Sequence, residues 1–513
     1  MWEGMVHGML TGINATLVPI NICMVLFGCF SGSLIGMLPG LGPITAVALM
    51  IPVTYGFDPT TGMVLLAGVY YGAIFGGSTS SILINAPGEA ATVATALDGY
   101  PLARQGYPGK ALAIAAYASF SGGTIAVVLL MFFAPMLASV ATSFQSADYF
   151  ALMILGLTAV SAFAGRGGVL KALLMVVLGL MLSTVGTDQT SGVQRYTFGS
   201  LELLDGIEFL LLAMATFALT EALMIVLKKD ASSDSLNPKM IGFKSLKVSA
   251  KEFKLITPSI LRSSLLGFFV GVLPGAGATL GSFMSYGMER NLAPPEEQAR
   301  FGKGSLRGLA APETGNNAAS SGSFVPLLTL GIPGSGTTAV MLGALIAYGI
   351  DPGPRMFVEQ PEVFWGVIMS MYLGNVFLLI LNLPLIPYFA RLLAIPRNLM
   401  VPIILFFSLM GVYLVTFNDF DIMMMVFFCL GAMALRLMNF PMAPLLLGFI
   451  LGGLMEDNLR RSLMIYDESM SFMWERPITV SINCLTLLVL GMPLFRSVLA
   501  KLKSKKNPNA LLK

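Results

Sequence analysis

The chain has 513 residues, 56% of them hydrophobic and only 11% charged, with a formal net charge of +3. Soluble domains carry about 25% charged residues, so a soluble globular protein is excluded. The single histidine, His7, excludes a His-based zinc site or proton relay by count.

The opening stretch, MWEGMVHGML, contains no Lys or Arg. It lacks the basic n-region of a cleavable signal peptide, so the first apolar run is read as a retained span. Apolar runs of about 18 residues or more mark helices that cross a bilayer. In the first half they predict a span near 15–36, broken segments near 44–56, 60–84 and 88–99, and clear spans near 109–140, 147–164, 168–186 and 205–228. In the second half they predict a span near 257–273, broken segments near 277–289 and 311–350, and clear spans near 362–392, 400–416, 420–437, 442–458 and 476–497. The expected fold is an all-α polytopic membrane protein of about 10 to 12 transmembrane helices with re-entrant segments. The runs are too long and too uniformly apolar for a β-barrel. Cys23, Cys29, Cys429 and Cys484 lie inside apolar runs without CxxC spacing and read as buried, inert thiols.

One segment breaks the apolar pattern. GMLPGLGPIT, residues 36–45, places three Gly and two Pro within eight positions, where each Pro costs a helix about 3 kcal/mol and each Gly about 1 kcal/mol. GVLPGAGATL, residues 271–280, nearly repeats it: Gly32, Gly36, Leu38, Pro39, Gly40 and Gly42 fall on Gly267, Gly271, Leu273, Pro274, Gly275 and Gly277 at a shift of 235. A second break follows each copy. GGSTSSILINAPGEAATVATALDG, residues 76–99, and ASSGSFVPLLTLGIPGSGTTAVMLG, residues 319–343, both run from a hydroxyl-rich block through an apolar half-span to Pro-Gly and a Thr/Ala-rich half-span. Pro87-Gly88 thereby matches Pro333-Gly334.

Loop charge sets the orientation. The basic stretch 228–254, the tail with Arg496, Lys501, Lys503, Lys505 and Lys506, and the loops at Arg166/Lys171 and Arg391/Arg397 are all assigned to the cytoplasm. The loop 288–307 mixes signs and gives no vote. The two copies then enter the membrane from opposite sides, an inverted-topology repeat. The expected organisation is a first repeat over 1–228, a basic cytoplasmic linker over 229–256, and a second repeat with a basic tail over 257–513.

Broken helices at membrane depth are tolerated only where protein or a water-filled cavity satisfies the freed backbone groups. Paired breaks in inverted repeats are the pattern of secondary transporters, with substrate near the midplane. Half-helix N-termini offer free N–H groups to anions. The expected substrate-binding residues are Gly40, Pro87, Gly88, Thr92, Gly275, Pro333, Gly334, Ser335, Thr337 and Thr338. Hard oxygen ligands suit Na+, and membrane carboxylates suit H+. The expected cation-coupling residues are Ser78, Thr79, Ser80, Ser81, Asn85, Glu89, Glu313, Asn316, Asn317, Ser320 and Ser321. Plainer readings stand beside these. Gly32 and Gly36 could serve close helix packing, Asp98 could lie in an exposed turn, and Glu89 could cap a half-helix. Glu221 reads as a helix–helix pairing group. There is no GxxxxGK[ST] loop, no HExxH and no GxSxG in a strand–turn–helix setting. Neither an ATPase nor another enzyme is expected, and no cofactor beyond the coupling Na+ or H+.

The blocks from Gly36 to Leu112 and from Gly271 to Pro354 resemble the large membrane subunit of the tripartite tricarboxylate transporter family (TctA family). The resemblance implies a bacterial inner-membrane protein with a small membrane subunit and a periplasmic solute-binding protein as partners. It also implies uptake of an organic carboxylate, citrate-like or related, driven by a cation gradient. The lipid bilayer is its surroundings, and no nucleic acid is involved. The competing reading is a passive anion channel or pore.

The charge distribution predicts a periplasmic N-terminus and a cytoplasmic C-terminus. Cysteines introduced at Trp2 and Asn509 are expected to react with an impermeant thiol reagent from opposite sides of the membrane. Labelling of both from one side overturns the inverted-repeat reading.

Overall fold

The computed structural model describes residues 2–38, 41–162, 168–188, 190–227, 243–275, 277–388 and 397–506. The Pro39-Gly40 break, Arg166, Arg391 and residues 229–242 of the basic linker lie outside the described residues. The described residues are mostly helical. The first half holds α1 (Trp2–Thr16), α2 (Pro19–Gly36), α3 (Pro43–Thr54), α4 (Pro59–Ile84), α5 (Thr92–Arg104), α6 (Pro108–Ala141), α7 (Ser146–Ala162), α8 (Val169–Ser183) and α9 (Phe209–Leu227), the last with a π turn over Met214–Leu219. The second holds α10 (Ala250–Val272), α11 (Gly277–Leu292), α12 (Leu306–Gly322), α13 (Phe324–Leu330), α14 (Gly336–Ala347), α15 (Pro361–Asn382), α16 (Arg397–Thr416), α17 (Asp419–Leu437), α18 (Ala443–Ile465) and α19 (Pro477–Lys506). Two-residue strands, Gly186–Thr187 and Gln194–Arg195, form a small antiparallel pair.

Among the described residues seven helices are long and apolar enough to cross a membrane, namely α2, α4, α6, α9, α10, α15 and α17. Shorter apolar helices include α3, α8 and α14. This is the all-α polytopic membrane architecture that the apolar runs predict. Proline sets several starts: Pro19, Pro43, Pro59, Pro108 and Pro361 each open a helix, where a missing N–H costs nothing and φ is preset.

Three elements differ from the sequence reading. Helix α1 was not expected, because its residues fall short of a spanning run. It is held by side contacts instead: a Cβ on Gly8 or Gly12 would strike Trp365 of α15. The half-span expected at 88–99 begins four residues later and continues to Arg104. The broken segment 311–350 resolves into α12, α13 and α14. Of the four cysteines, Cys29 and Cys429 are buried, but Cys23 and Cys484 are exposed, since an apolar helix presents one face outward.

The chain forms two compact units, one of residues 1–142 and 207–437, the other of residues 143–206 and 438–513. Each draws on both halves of the sequence. In the first unit, glycine seams set the packing. Gly28, Gly32 and Gly36 of α2 lie against the backbone of Leu65, Val69 and Ala73 of α4. Gly267 and Gly271 of α10 lie against Gly315 and Ala319 of α12 in the same way. Small residues allow such close backbone approach between membrane helices, so Gly32 and Gly36 do serve packing, and the breaks begin where the seams end. Glu289 of α11, fully buried, is gripped by Arg262 of α10 at 2.8 Å and by Arg307 of α12. Glu221 of α9 pairs with Arg436 of α17 at 2.6 Å, the interhelical role its position suggested.

The second unit is tied by carboxylate–arginine pairs. Asp148 accepts from Arg476 (2.7 Å) and Thr479 (2.5 Å). Asp188 accepts two bonds from Arg460, 3.1 and 2.7 Å. Those bonds, with the amide of Thr190 and the Ser191 hydroxyl, hold its carboxyl well below the usual range.

The seams predict asymmetric tolerance. Gly271→Val drives a side chain into the Ala319 backbone and is expected to cost at least the ~1–3 kcal/mol typical of overpacking. Gly431→Ala, where an added Cβ meets nothing within 4 Å, is expected to be silent. Thermal midpoints of the purified variants check both.

Candidate functional site at the paired helix breaks

The described residues expected to bind substrate or the coupling ion all lie in the first unit. The second breaks of the two halves are built alike. Helix α4 ends at Asn85 with φ 52°, and α13 ends at Gly331 with φ 67°, the left-handed turn that closes helices. Ala86 N–H donates to the Ser80 carbonyl at 3.5 Å, and Ile332 N–H donates to the Pro326 carbonyl at 3.2 Å. The Thr92 hydroxyl donates to the Glu89 carbonyl at 3.0 Å, and the Thr338 hydroxyl to the Ser335 carbonyl at 3.0 Å. Residues 80, 85, 86, 87, 88, 89 and 92 thus correspond to 326, 331, 332, 333, 334, 335 and 338, each 246 positions on.

In each half the first break is bonded to the second. Gly42 N–H donates to the Gly88 carbonyl at 3.2 Å, and Gly275 N–H donates to the Gly334 carbonyl at 3.0 Å. Gly88 and Gly334 are buried, and a Cβ would lie 2.9 Å from the Gly77 Cα in one case and 2.8 Å from the Ser323 Cα in the other. Only glycine fits either place. Beyond each break a half-helix starts whose first-turn amides lack an acceptor within the helix; at α5 the Thr92 and Val93 amides turn back to the Glu89 and Ala90 carbonyls at 3.3 and 3.4 Å. At α14, Ser335 and Thr338 form a reciprocal capping box, so Thr338 is committed to structure. Thr337 is 5% exposed, and among the described residues its hydroxyl makes no hydrogen bond, whereas its neighbour's does. Gly40 lies outside the described residues. Asn85 is exposed and serves as a helix terminus, and α5 takes no side-chain cap, so Glu89 is not the capping residue considered above.

The tips of the two halves adjoin. The Tyr70 hydroxyl of α4 lies 3.4 Å from the Ser335 hydroxyl, and Tyr70 is also within electrostatic reach of Glu89. Tyr71 and Ser321 share a hydrogen bond of 2.6 Å. Tyr70, Tyr71 and Phe324 pack as a ring cluster with centroids 5.9–6.3 Å apart. Ser282 of α11 donates to the Ala91 carbonyl at 2.7 Å.

Beside the tips is a buried carboxylate. Glu313 of α12 has no exposure and accepts from three hydroxyls: Ser78 at 2.7 Å, Ser119 at 2.8 Å, and Thr95. A cavity of about 10 Å³, room for roughly one water, lies against it, lined in part by Ser78, Thr79, Ser119 and Asn382. Ser80 and Ser81 instead bond the Gly77 carbonyl. Ser320 and Ser321 bond the Asn316 and Asn317 carbonyls. The Asn317 amide reaches the Glu313 carbonyl and the Asn316 side chain, which leaves Asn316 Nδ2 and Asn317 Oδ1 buried without partners. Asp98 is not in an exposed turn. It is fully buried in α5 and accepts from the amides of Gly304 and Ser305 and from Tyr286, which locks the start of α12.

The family profile described as "Tripartite tricarboxylate transporter TctA family" matches residues 22–447. The chain belongs to this family. It is 44% identical over 491 residues, 96% of each chain, to an Agrobacterium vitis protein described as an uncharacterized 52.8 kDa protein in the TAR-I ttuC′ 3′ region. It is also 44% identical over 236 residues to an uncharacterized Agrobacterium vitis protein in the TAR-II ttuC′ 3′ region, covering 46% of this chain and 96% of that one. No solved structure matches.

In this TctA-family chain the sequence reading missed Thr95, Ser119, Tyr70, Tyr71 and Asn382. Ser119 is a lone hydroxyl in the long apolar run of α6, and a lone serine there carries no pattern. Thr95 stands one turn after Thr92, and that spacing was the available signal. Ser119→Ala removes one donor from a buried carboxylate and is expected to cost about 1.5–3 kcal/mol, the worth of a hydrogen bond to a charged group. Unfolding of the purified variant in a denaturing detergent titration measures it.

Proposed function

We propose that this chain is the permease of a binding-protein-dependent secondary transporter that imports an organic carboxylate, citrate-like or related, across a bacterial inner membrane on a Na+ or H+ gradient. The observation that carries the reading is the pair of matched, adjoining helix breaks beside a buried carboxylate. The substrate carboxylate is received by the half-helix tips at Pro87, Gly88 and Thr92 and at Pro333, Gly334, Ser335, Thr337 and Thr338, with Gly40 and Gly275 supporting from the first breaks. Amides and hydroxyls in a low-dielectric cavity bind an anion without a buried Arg. The coupling ion is drawn to the oxygen-rich set around Ser78, Thr79, Glu89, Glu313, Asn316 and Asn317, with Na+ ahead of H+ because carbonyl, amide and hydroxyl oxygens are hard ligands. The constant correspondence between the two breaks supports a repeat, and the loop charges support its inversion. A small membrane subunit and a periplasmic solute-binding protein complete the assembly.

Uptake of citrate into proteoliposomes that hold the whole assembly tests this. Saturable, gradient-dependent accumulation is expected, and it should collapse when Na+ is replaced by K+ at fixed pH. Uptake that persists without Na+ and collapses with a protonophore reassigns the ion to H+. Flux that only dissipates a citrate gradient means a pore. Thr337→Val keeps volume and removes a free hydroxyl. It is expected to weaken apparent citrate affinity about five-fold, the loss of one hydrogen bond of about 1 kcal/mol. A fall in maximal rate alone makes the break a hinge.

A further inference from the structure

The two tips share a backbone but not a chemistry. The 246-position correspondence places Glu89 on Ser335. At the second tip Ser335 caps its own half-helix, and the amides of Gly336 and Thr337 remain open beside the free Thr337 hydroxyl. At the first tip a carboxylate stands where that hydroxyl would be, and it does not cap. Its Oε1 is buried and has no partner. The same correspondence places Tyr70 on Asn316 and Tyr71 on Asn317. Tyr70 crosses to the second tip and meets Ser335. Its counterpart Asn316 is fully buried with Nδ2 unpartnered, and next to it Asn317 holds an unpartnered Oδ1. At the positions that correspond to Ser335, Tyr70 and Tyr71, the buried atoms Glu89 Oε1, Asn316 Nδ2 and Asn317 Oδ1 are thus without partners.

Charge points the same way. Glu89 is within electrostatic reach of Glu313. Neither carboxylate has a Lys or Arg partner among the described residues. Two nearby carboxylates in a low-dielectric site disfavour a third anion and attract a cation. A substrate carboxylate beside Glu89 would meet both, whereas at Ser335 it would meet amides and hydroxyls.

We propose that the tips divide the work. The second tip, Ser335 to Thr338, binds the substrate carboxylate. The first tip binds the coupling cation through Glu89 and the Asn317 side-chain oxygen, and Glu89 is the residue that bars a substrate carboxylate from it. The proposal rests on the transport reading above and narrows it, because the substrate carboxylate is then held at the second tip alone and the Pro87, Gly88 and Thr92 tip serves the cation. Coupling follows as a mutual stabilisation of two adjacent charges of opposite sign. Without the cation, the field of Glu89 and Glu313 opposes the substrate, and with the cation that field is cancelled. Na+ and a proton would each neutralise Glu89, and the measurements separate them.

The test has a substrate-free arm and a transport arm. In the first, the thermal midpoint of the purified full-length chain is measured in Na+ and in K+ at fixed pH, and in K+ at lowered pH. The wild type is expected to gain stability from Na+, or from acid if the ion is a proton. Glu89→Ser, which gives the first tip the residue of the second, is expected to lose that gain, and Thr337→Val to keep it. In the second arm, citrate uptake by the whole assembly is followed. Glu89→Ser is expected to lose the cation stimulation while half-saturating citrate moves less than about three-fold. Ser335→Ala is expected to raise half-saturation about ten-fold with the stimulation intact, a change of about 1.4 kcal/mol. Thr337→Val, which leaves the capping box whole, stands in if Ser335→Ala fails to fold. A wild type that neither cation stabilises, a Glu89→Ser chain that keeps the gain, or equal loss of citrate affinity in Glu89→Ser and Ser335→Ala overturns the division. A wild type that transports no citrate under any gradient counts against the transport reading, and the first arm still decides the cation tip.

Discussion

In a bilayer every backbone N–H and C=O must find its partner inside the protein. A helix meets that demand by itself, and a broken helix does not. Four breaks in this chain are affordable only because the segments beside them are pressed together until one break can bond another. The Gly42 and Gly275 amides supply that bond in the two halves. The glycine seams of α2 on α4 and of α10 on α12 supply the proximity, since a single Cβ at Gly36 or Gly271 would strike the facing backbone. Packing and site are therefore one device.

The buried carboxylate depends on the same arrangement. Glu313 sits on α12 with no exposure, and its three hydroxyl partners come from α4, α5 and α6. An isolated buried charge costs several kcal/mol, and three donors from three other helices reduce that cost only while all four are held in place. The Asp98 bonds to the start of α12 fix the α5–α12 relation on which the Thr95 contact relies. A TctA-family chain built this way keeps a carboxyl group at depth without a basic partner among the described residues.

The membrane class, the spans and the four breaks were legible in the sequence for a physical reason. Long apolar runs, prolines and glycines act locally, on the helix they occupy. The correspondence of Pro87-Gly88 with Pro333-Gly334 was readable for the same reason, because turn chemistry is written in adjacent residues. Helix α1 was not readable, since its hold comes from Trp365, far along the chain.

The sequence by itself determined that the chain lives in a membrane, where its helices break, and that the breaks come in matched pairs. It also carried the family resemblance that the comparisons bear out. Only the tertiary structure decided what each polar residue near a break does. Thr338 is spent on a capping box while Thr337 is free, Asn85 ends a helix at the surface, Asp98 is a buried latch, and Ser119 belongs to Glu313. These differences cannot be written in local spacing. A hydroxyl or carboxylate is defined by its partners, and here the partners are far along the chain, as Ser335 is 265 positions from Tyr70.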